Sequence, residues 1–164
     1  MALTLIQTQT VSNVTEVDFT SGISSSFDNY VLIASNGSIE PGDNPYALHI
    51  QFSTDGGSTY LDSSYLNYGD ISFTTSGLDL VSVQDDDSTT AFNFYVNLLN
   101  LTKSDNLPSL TGTYLGCSID GDGGYGGSLG GLYNGGSIAV NALRINMSDN
   151  SEFSGIFSLY SLDS

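Results

Sequence analysis

The sequence predicts an all-β protein, an antiparallel sandwich or barrel of about nine strands. Three observations lead there. Residues that favour helix on exposed faces are scarce, six Ala, three Glu and one Lys against 19 Gly, and no segment sustains a 3.6-residue apolar period. Apolar and polar residues alternate instead with period two, as they do on a sheet that buries one face. Clusters of Gly, Asn, Asp and Ser separate those runs, and these residues tolerate the backbone conformations of turns.

The alternation begins in Leu3–Leu5, where the absence of a basic start or a continuous apolar run argues for a strand and against a secretory signal. Val14–Phe19 and Tyr30–Ile33 follow. In Tyr46–Phe52 the residues Leu48, Ile50 and Phe52 face inward, so His49 and Gln51 face outward. Directly after it, Phe52–Tyr60 holds Asp55-Gly56-Gly57 between two strand-like flanks and reads as a hairpin tip. Ile71–Phe73 is a further short run. In Phe92–Leu98 the side chains of Phe92, Phe94, Val96 and Leu98 fill one face, while Tyr95, Leu99 and Leu101 put apolar bulk on the other. A strand apolar on both sides is either a subunit interface or is covered by the chain's own Asp120–Gly136 segment. Thr113–Cys117 comes next, with the single Cys117 as a small core hydrophobe. Within Ile138–Met147 the apolar phase changes, from Ile138 and Val140 to Leu143, Ile145 and Met147, which predicts a β-bulge near Asn141 or Ala142. Phe157–Leu159 is the last run. The polar segments Asn36–Pro45 and Asp120–Gly136, the second with nine glycines, read as surface excursions of one domain spanning 1–164.

A chain of 164 residues is long enough to bury a core without disulfides. Eighteen acidic residues against Lys103 and Arg144 give a formal charge of −16. Nucleic acid is therefore excluded as a partner, since the cations that displace counterions from phosphate are missing, and anionic membranes are excluded on the same ground. With 39% hydrophobic residues and only 12% charged ones, the chain is also too apolar for a disordered acidic tail. Four Asn-x-Ser/Thr sites, at Asn13, Asn36, Asn100 and Asn146, are what chance supplies in a chain so rich in Asn, Ser and Thr.

Catalytic chemistry finds little to use. His49 is the only histidine; a Ser-His-Asp assembly around it has no local motif behind it, and solvent or a subunit interface is the plainer setting. Asp120-Gly-Asp-Gly-Gly-Tyr-Gly-Gly-Ser128 fails the EF-hand template, because Gly124 and Tyr125 stand at the wrong places and no Glu closes the loop. A looser cation site on Asp120 and Asp122, or on Asp85-Asp86-Asp87, is weaker than the reading as solvated loops. No Gly-Lys-Ser/Thr ending supports a phosphate cradle. The expectation is a protein with no catalytic residues, no cofactor and no metal.

The opening Leu-Thr-Leu-Ile-Gln-Thr-Gln-Thr-Val, Phe19-Thr-Ser-Gly-Ile23, Phe27-Asp-Asn-Tyr-Val-Leu-Ile33, the Phe52–Tyr60 segment, Leu143-Arg-Ile145 and Ser154-Gly-Ile-Phe-Ser-Leu-Tyr160 resemble small β-sandwich virion proteins of tailed bacteriophages. The resemblance runs nearly end to end, and its motifs describe strands, turns and core positions rather than reacting groups. It implies a jelly-roll domain of about eight to nine strands, usually a homotrimer, made in the host cytoplasm and placed on the particle surface. Two roles fit it. One is a capsid decoration or cement protein contacting other capsid proteins, with Tyr95, Leu99 and Leu101 at the subunit interface. The other is the knob of a tail or head fibre that binds a host surface glycan, with Tyr125 and Tyr133 of the glycine-rich segment as stacking platforms. Strand-like sequence beginning at Leu3, with no heptads before it, favours cement over fibre.

Overall fold

A computed structural model of the chain describes residues 2–40, 46–67, 76–83, 89–118 and 124–162. Among these, eleven strands form two antiparallel sheets. They are β1 (Leu3–Val14), β2 (Glu16–Phe19), β3 (Asn29–Ile39), β4 (Tyr46–Ser53), β5 (Tyr65–Asn67), β6 (Leu78–Val83), β7 (Thr90–Leu99), β8 (Ser109–Ser118), β9 (Gly124–Tyr133), β10 (Ala142–Met147) and β11 (Phe153–Leu162). The larger sheet has the order β1-β11-β3-β7-β8-β9-β5 and the smaller the order β2-β10-β4-β6. Without β5, β8 and β9, the strands divide into β1-β11-β3-β7 and β2-β10-β4-β6, which is the jelly-roll arrangement of two four-stranded sheets. The three extra strands widen one sheet only.

Between the sheets lies one core. Leu48, Ile50 and Phe52 of β4 meet Leu143, Ile145 and Met147 of β10 on the small sheet. Phe92, Phe94, Val96 and Leu98 of β7 point in from the large one, as their alternation requires. Aromatic rings cluster in the core, and the Phe52–Tyr65 pair bridges the two layers. Phe157 lies 6.3 Å from both Phe92 and Phe94 and 5.6 Å from Phe153, while Tyr65 lies 5.1 Å from Tyr133 and 5.7 Å from Phe52, distances at which ring pairs attract beyond their area burial.

The structure departs from the sequence reading at several points. The glycine-rich segment is not a free excursion, because Gly124–Tyr133 is β9, paired with β8 along its length. Glycine is a poor strand former in general, but here it lets backbones approach: a Cβ at Gly131 would stand 2.7 Å from Leu78 Cδ2 and 2.8 Å from the Leu66 carbonyl oxygen. Likewise Asn36–Ile39 belongs to β3 and is not a loop. The Phe52–Tyr60 turn is no two-stranded hairpin tip, since β4 ends at Ser53 and the next strand, β5, belongs to the other sheet. No bulge interrupts β10, which keeps register with β4 from Ala142 to Met147. The change of apolar phase falls instead at the entry to the strand, where Val140 N–H donates to the Leu101 carbonyl (2.7 Å) and Asn141 N–H to that of Ser53 (2.9 Å). Cys117 is exposed on β8 and is not a core residue. The run Ile71–Phe73 and the Pro41–Asp43 turn lie outside the described residues.

Candidate functional site

The two sheets turn different chemistries outward. On the small sheet, β10 brings Arg144 opposite Asp18 of β2 and Gln51 of β4. Its guanidinium donates from Nε and Nη2 to the two oxygens of Asp18, at 2.8 and 2.7 Å, and from Nη1 to Glu16 at 2.8 Å. The Tyr60 ring centroid lies 4.3 Å from the guanidinium carbon. Two parallel charge-assisted bonds and a stacked ring fix this side chain firmly. The bond to Asp18 raises the Arg144 pKa further, and burial together with the Asp18 charge pushes the Tyr60 phenol up to about 12.

Next on the same face are His49 and Gln51, which turn away from the core as the alternation requires but are not open to solvent. His49 is only 7% exposed. The chain's own Ser76–Asp79 segment covers them, with Gln51 Nε2 donating to the Ser76 carbonyl at 2.8 Å and His49 Nε2 standing 3.0 Å from Asp79 Oδ1. Gly77 makes this possible, since a Cβ there would come within 2.9 Å of His49 Cβ. His49 Nδ1 is buried with no hydrogen-bond partner among the described residues. Nor do three or more His, Cys, Asp or Glu side chains converge on a metal position among the described residues. Asp85, Asp86, Asp87, Asp120 and Asp122 lie outside them, as does the side chain of Tyr125.

At the end of β4, residues 53–59 form a tightly capped turn. Asp55 accepts from Thr59 N–H (2.9 Å) and Oγ1–H (2.7 Å) and from Ser53 Oγ–H (2.8 Å). Gly56 and Gly57 take positive φ of 76° and 89°, as anticipated for this turn. The donated bonds, those of Thr59 first, hold the Asp55 carboxyl down at about 2. Across the turn, Asn141 Oδ1 accepts from Gly56 N–H and Asn141 Nδ2 donates to the Thr54 carbonyl.

The large sheet is different. None of its seven strands contains a charged residue of either sign. On its outer side, pairing aligns Leu5 with Tyr160 and Val31, and Ser158 with Ile33, Tyr95 and Thr113. Leu115 stands between Asn93 and Gly126 in the neighbouring row. The exposed large hydrophobics among the described residues are Leu115 (63%), Leu5 (54%), Leu3 (46%) and Tyr95 (42%), and all four lie on this face. A shallow depression of about 340 Å³ runs between Tyr95 and Leu115, floored by the backbones of β3, β7 and β8.

Of the residues expected at an interface, Tyr95 is open on this face and Leu99 is half-buried on it, while Leu101 is fully buried. Asn100 takes a positive φ of 59° and turns the chain after β7, so Leu101 leaves the outward row and enters the core. Tyr133, expected at a loop tip, is the last residue of β9 and packs on Tyr65 inside the sandwich; it has no surface to offer a glycan. The segment around it joins the sheet beyond β8 and does not cover Tyr95. Reading the sequence missed Leu3, Leu5 and Leu115 as parts of one surface, and the signal that marks them is the absence of charge from every strand of that sheet.

No known protein family matches the chain, and no curated protein does. Among solved structures, the crystal structure of Scytalido-glutamic peptidase with a peptide-based transition-state analogue is similar at 15% identity, over 90% of this chain and 73% of that one, with a TM-score of 0.33. A likeness that low carries no argument about activity.

Proposed function

We propose that the protein is a non-enzymatic structural component of a bacteriophage particle, a homotrimer that decorates the capsid and stabilises the head. The observation that carries this reading is the charge-free outer face of the large sheet, which gathers the exposed Leu3, Leu5, Tyr95 and Leu115 on a broad, shallow surface. Such a surface suits contact with protein rather than enclosure of a substrate, for which a deep pocket with convergent polar groups would be needed. The end-to-end resemblance of the sequence to small virion proteins supports the setting, and the jelly-roll topology is the fold that the resemblance implies. Acidic surfaces elsewhere keep many copies soluble and mutually repelling before assembly, and they leave nucleic acid and membranes out of the partner set.

Deletion of the gene in a phage that encodes the protein tests the proposal. Particles without it are expected to assemble and adsorb normally but to lose DNA on heating or osmotic shock under milder conditions than wild type, because contacts between capsomers lose a contributor. Heads as heat-resistant as before, with attachment to cells abolished, would replace this reading by that of a fibre knob that binds a host glycan.

A further inference from the structure

We infer that the outer face of the seven-stranded sheet is the surface on which a second copy of this chain docks. The inference rests on the self-associating reading above and names the surface and its occupant. Charge selects the occupant. Each copy carries a formal charge of −16, so an approach through the small sheet sets Glu16, Asp18 and Asp79 against acidic groups of the partner, and like charges at a dry contact are strongly unfavourable. The large sheet has no charge in any strand and can lie against another copy without that penalty. A basic partner would be drawn to the acidic surfaces and would gain nothing here.

Size agrees. Six strands about 4.8 Å apart and four outward rows about 6.8 Å apart cover roughly 29 by 27 Å, on the order of 800 Å², which is what one partner contributes to a stable interface of standard size. Chemistry agrees as well: Leu5, Tyr160, Ile33, Tyr95 and Leu115 supply apolar area, and the Ser, Thr and Asn residues among them can exchange hydrogen bonds with polar groups of another copy.

The test is mass in solution. Wild-type protein at micromolar concentration is expected to be oligomeric by light scattering or sedimentation, and raising NaCl from about 50 to 500 mM is expected to tighten association by screening the acidic surfaces. Leu115→Asp and Tyr95→Asp, made separately on neighbouring strands, should each weaken association about a hundredfold or more, since a carboxylate there loses water and finds no cation. Both variants should keep the circular dichroism and melting behaviour of a folded sheet, because neither side chain packs into the core. If an Asp variant fails to fold, Leu115→Asn and Tyr95→Asn decide in the same way. A wild-type oligomer that these substitutions leave intact would overturn the docking surface while leaving self-association standing. A monomeric wild type would overturn both, and weakening by salt would count against an apolar contact.

Discussion

The two sheets of one sandwich spend their outward positions differently. On the four-stranded sheet these positions hold the molecule together: Arg144 clamps Asp18 and Glu16 under Tyr60, and His49 and Gln51 lie beneath Ser76–Asp79. On the seven-stranded sheet the inner rows carry the packing, and the outer rows, without a single charge, make few demands on the fold. The lesson is that burial on one side suffices for a wide sheet, which frees its other side for binding, whereas a small sheet whose four strands have eight or fewer residues each gains from being covered on both.

The sharpest test of this contrast lies within the large sheet. Phe157→Ala empties a fully buried position ringed by Phe92, Phe94 and Phe153 and is expected to cost about 3 to 5 kcal/mol in urea unfolding. Leu115→Ala, on the opposite side of the same sheet, should change stability by no more than about 0.5 kcal/mol under conditions that keep the protein monomeric. Equal losses would show that the outer face serves the fold after all.

A smaller effect separates the two basic residues. Arg144→Met breaks a bidentate, partly buried pair and leaves Asp18 and Glu16 side by side, for an expected loss of about 1 to 2 kcal/mol that 1 M salt does not abolish. Lys103, whose ammonium pairs with the half-exposed Asp28 at 3.0 Å, should be replaceable by Met with no measurable change in melting temperature. Comparable losses from the two would deny the small sheet its ionic clamp.

The smallest effect concerns acid. Folding lowers the Asp55 pKa to about 2, so its contribution to stability is complete above the ordinary carboxylate range and is lost as pH falls from about 4 through 2. Melting temperature measured across that window should fall less steeply in Asp55→Asn than in wild type. Identical slopes would mean that the turn bonds to Thr59 exert no hold on the fold.

Most strands were legible because burial on one side imposes period two: β4, β7 and β10 announce themselves through Leu48-Ile50-Phe52, Phe92-Phe94-Val96-Leu98 and Leu143-Ile145-Met147. β9 was not, since glycine carries no side chain to alternate and its role depends on which backbones come near, as Leu66 and Leu78 do at Gly131. β5, three residues long, is too short to show a period. At Leu101 the apparent continuation of the outward row fails because one positive φ at Asn100 ends it. Burial of His49 depends on a covering segment distant in sequence, which no local pattern encodes. The docking face lay in plain view as composition, the missing charge of seven strands, but became a surface only once the strand order put Leu3, Leu5, Tyr95 and Leu115 on one side.

The strand order also governs when the molecule can form. β11 lies between β1 and β3, and β1 has no other partner among the strands of its sheet; Leu3 pairs with Leu162 and Val14 with Phe153. A ribosome that has released β1 must therefore make nearly all the remaining strands before β1 finds its place. Pairings of such long sequence separation form slowly, and through synthesis β1 waits as an uncharged strand with both edges open. A chain halted before β11 would keep that strand unpaired, and ribosome-bound chains of graded length should gain protease resistance in one late step.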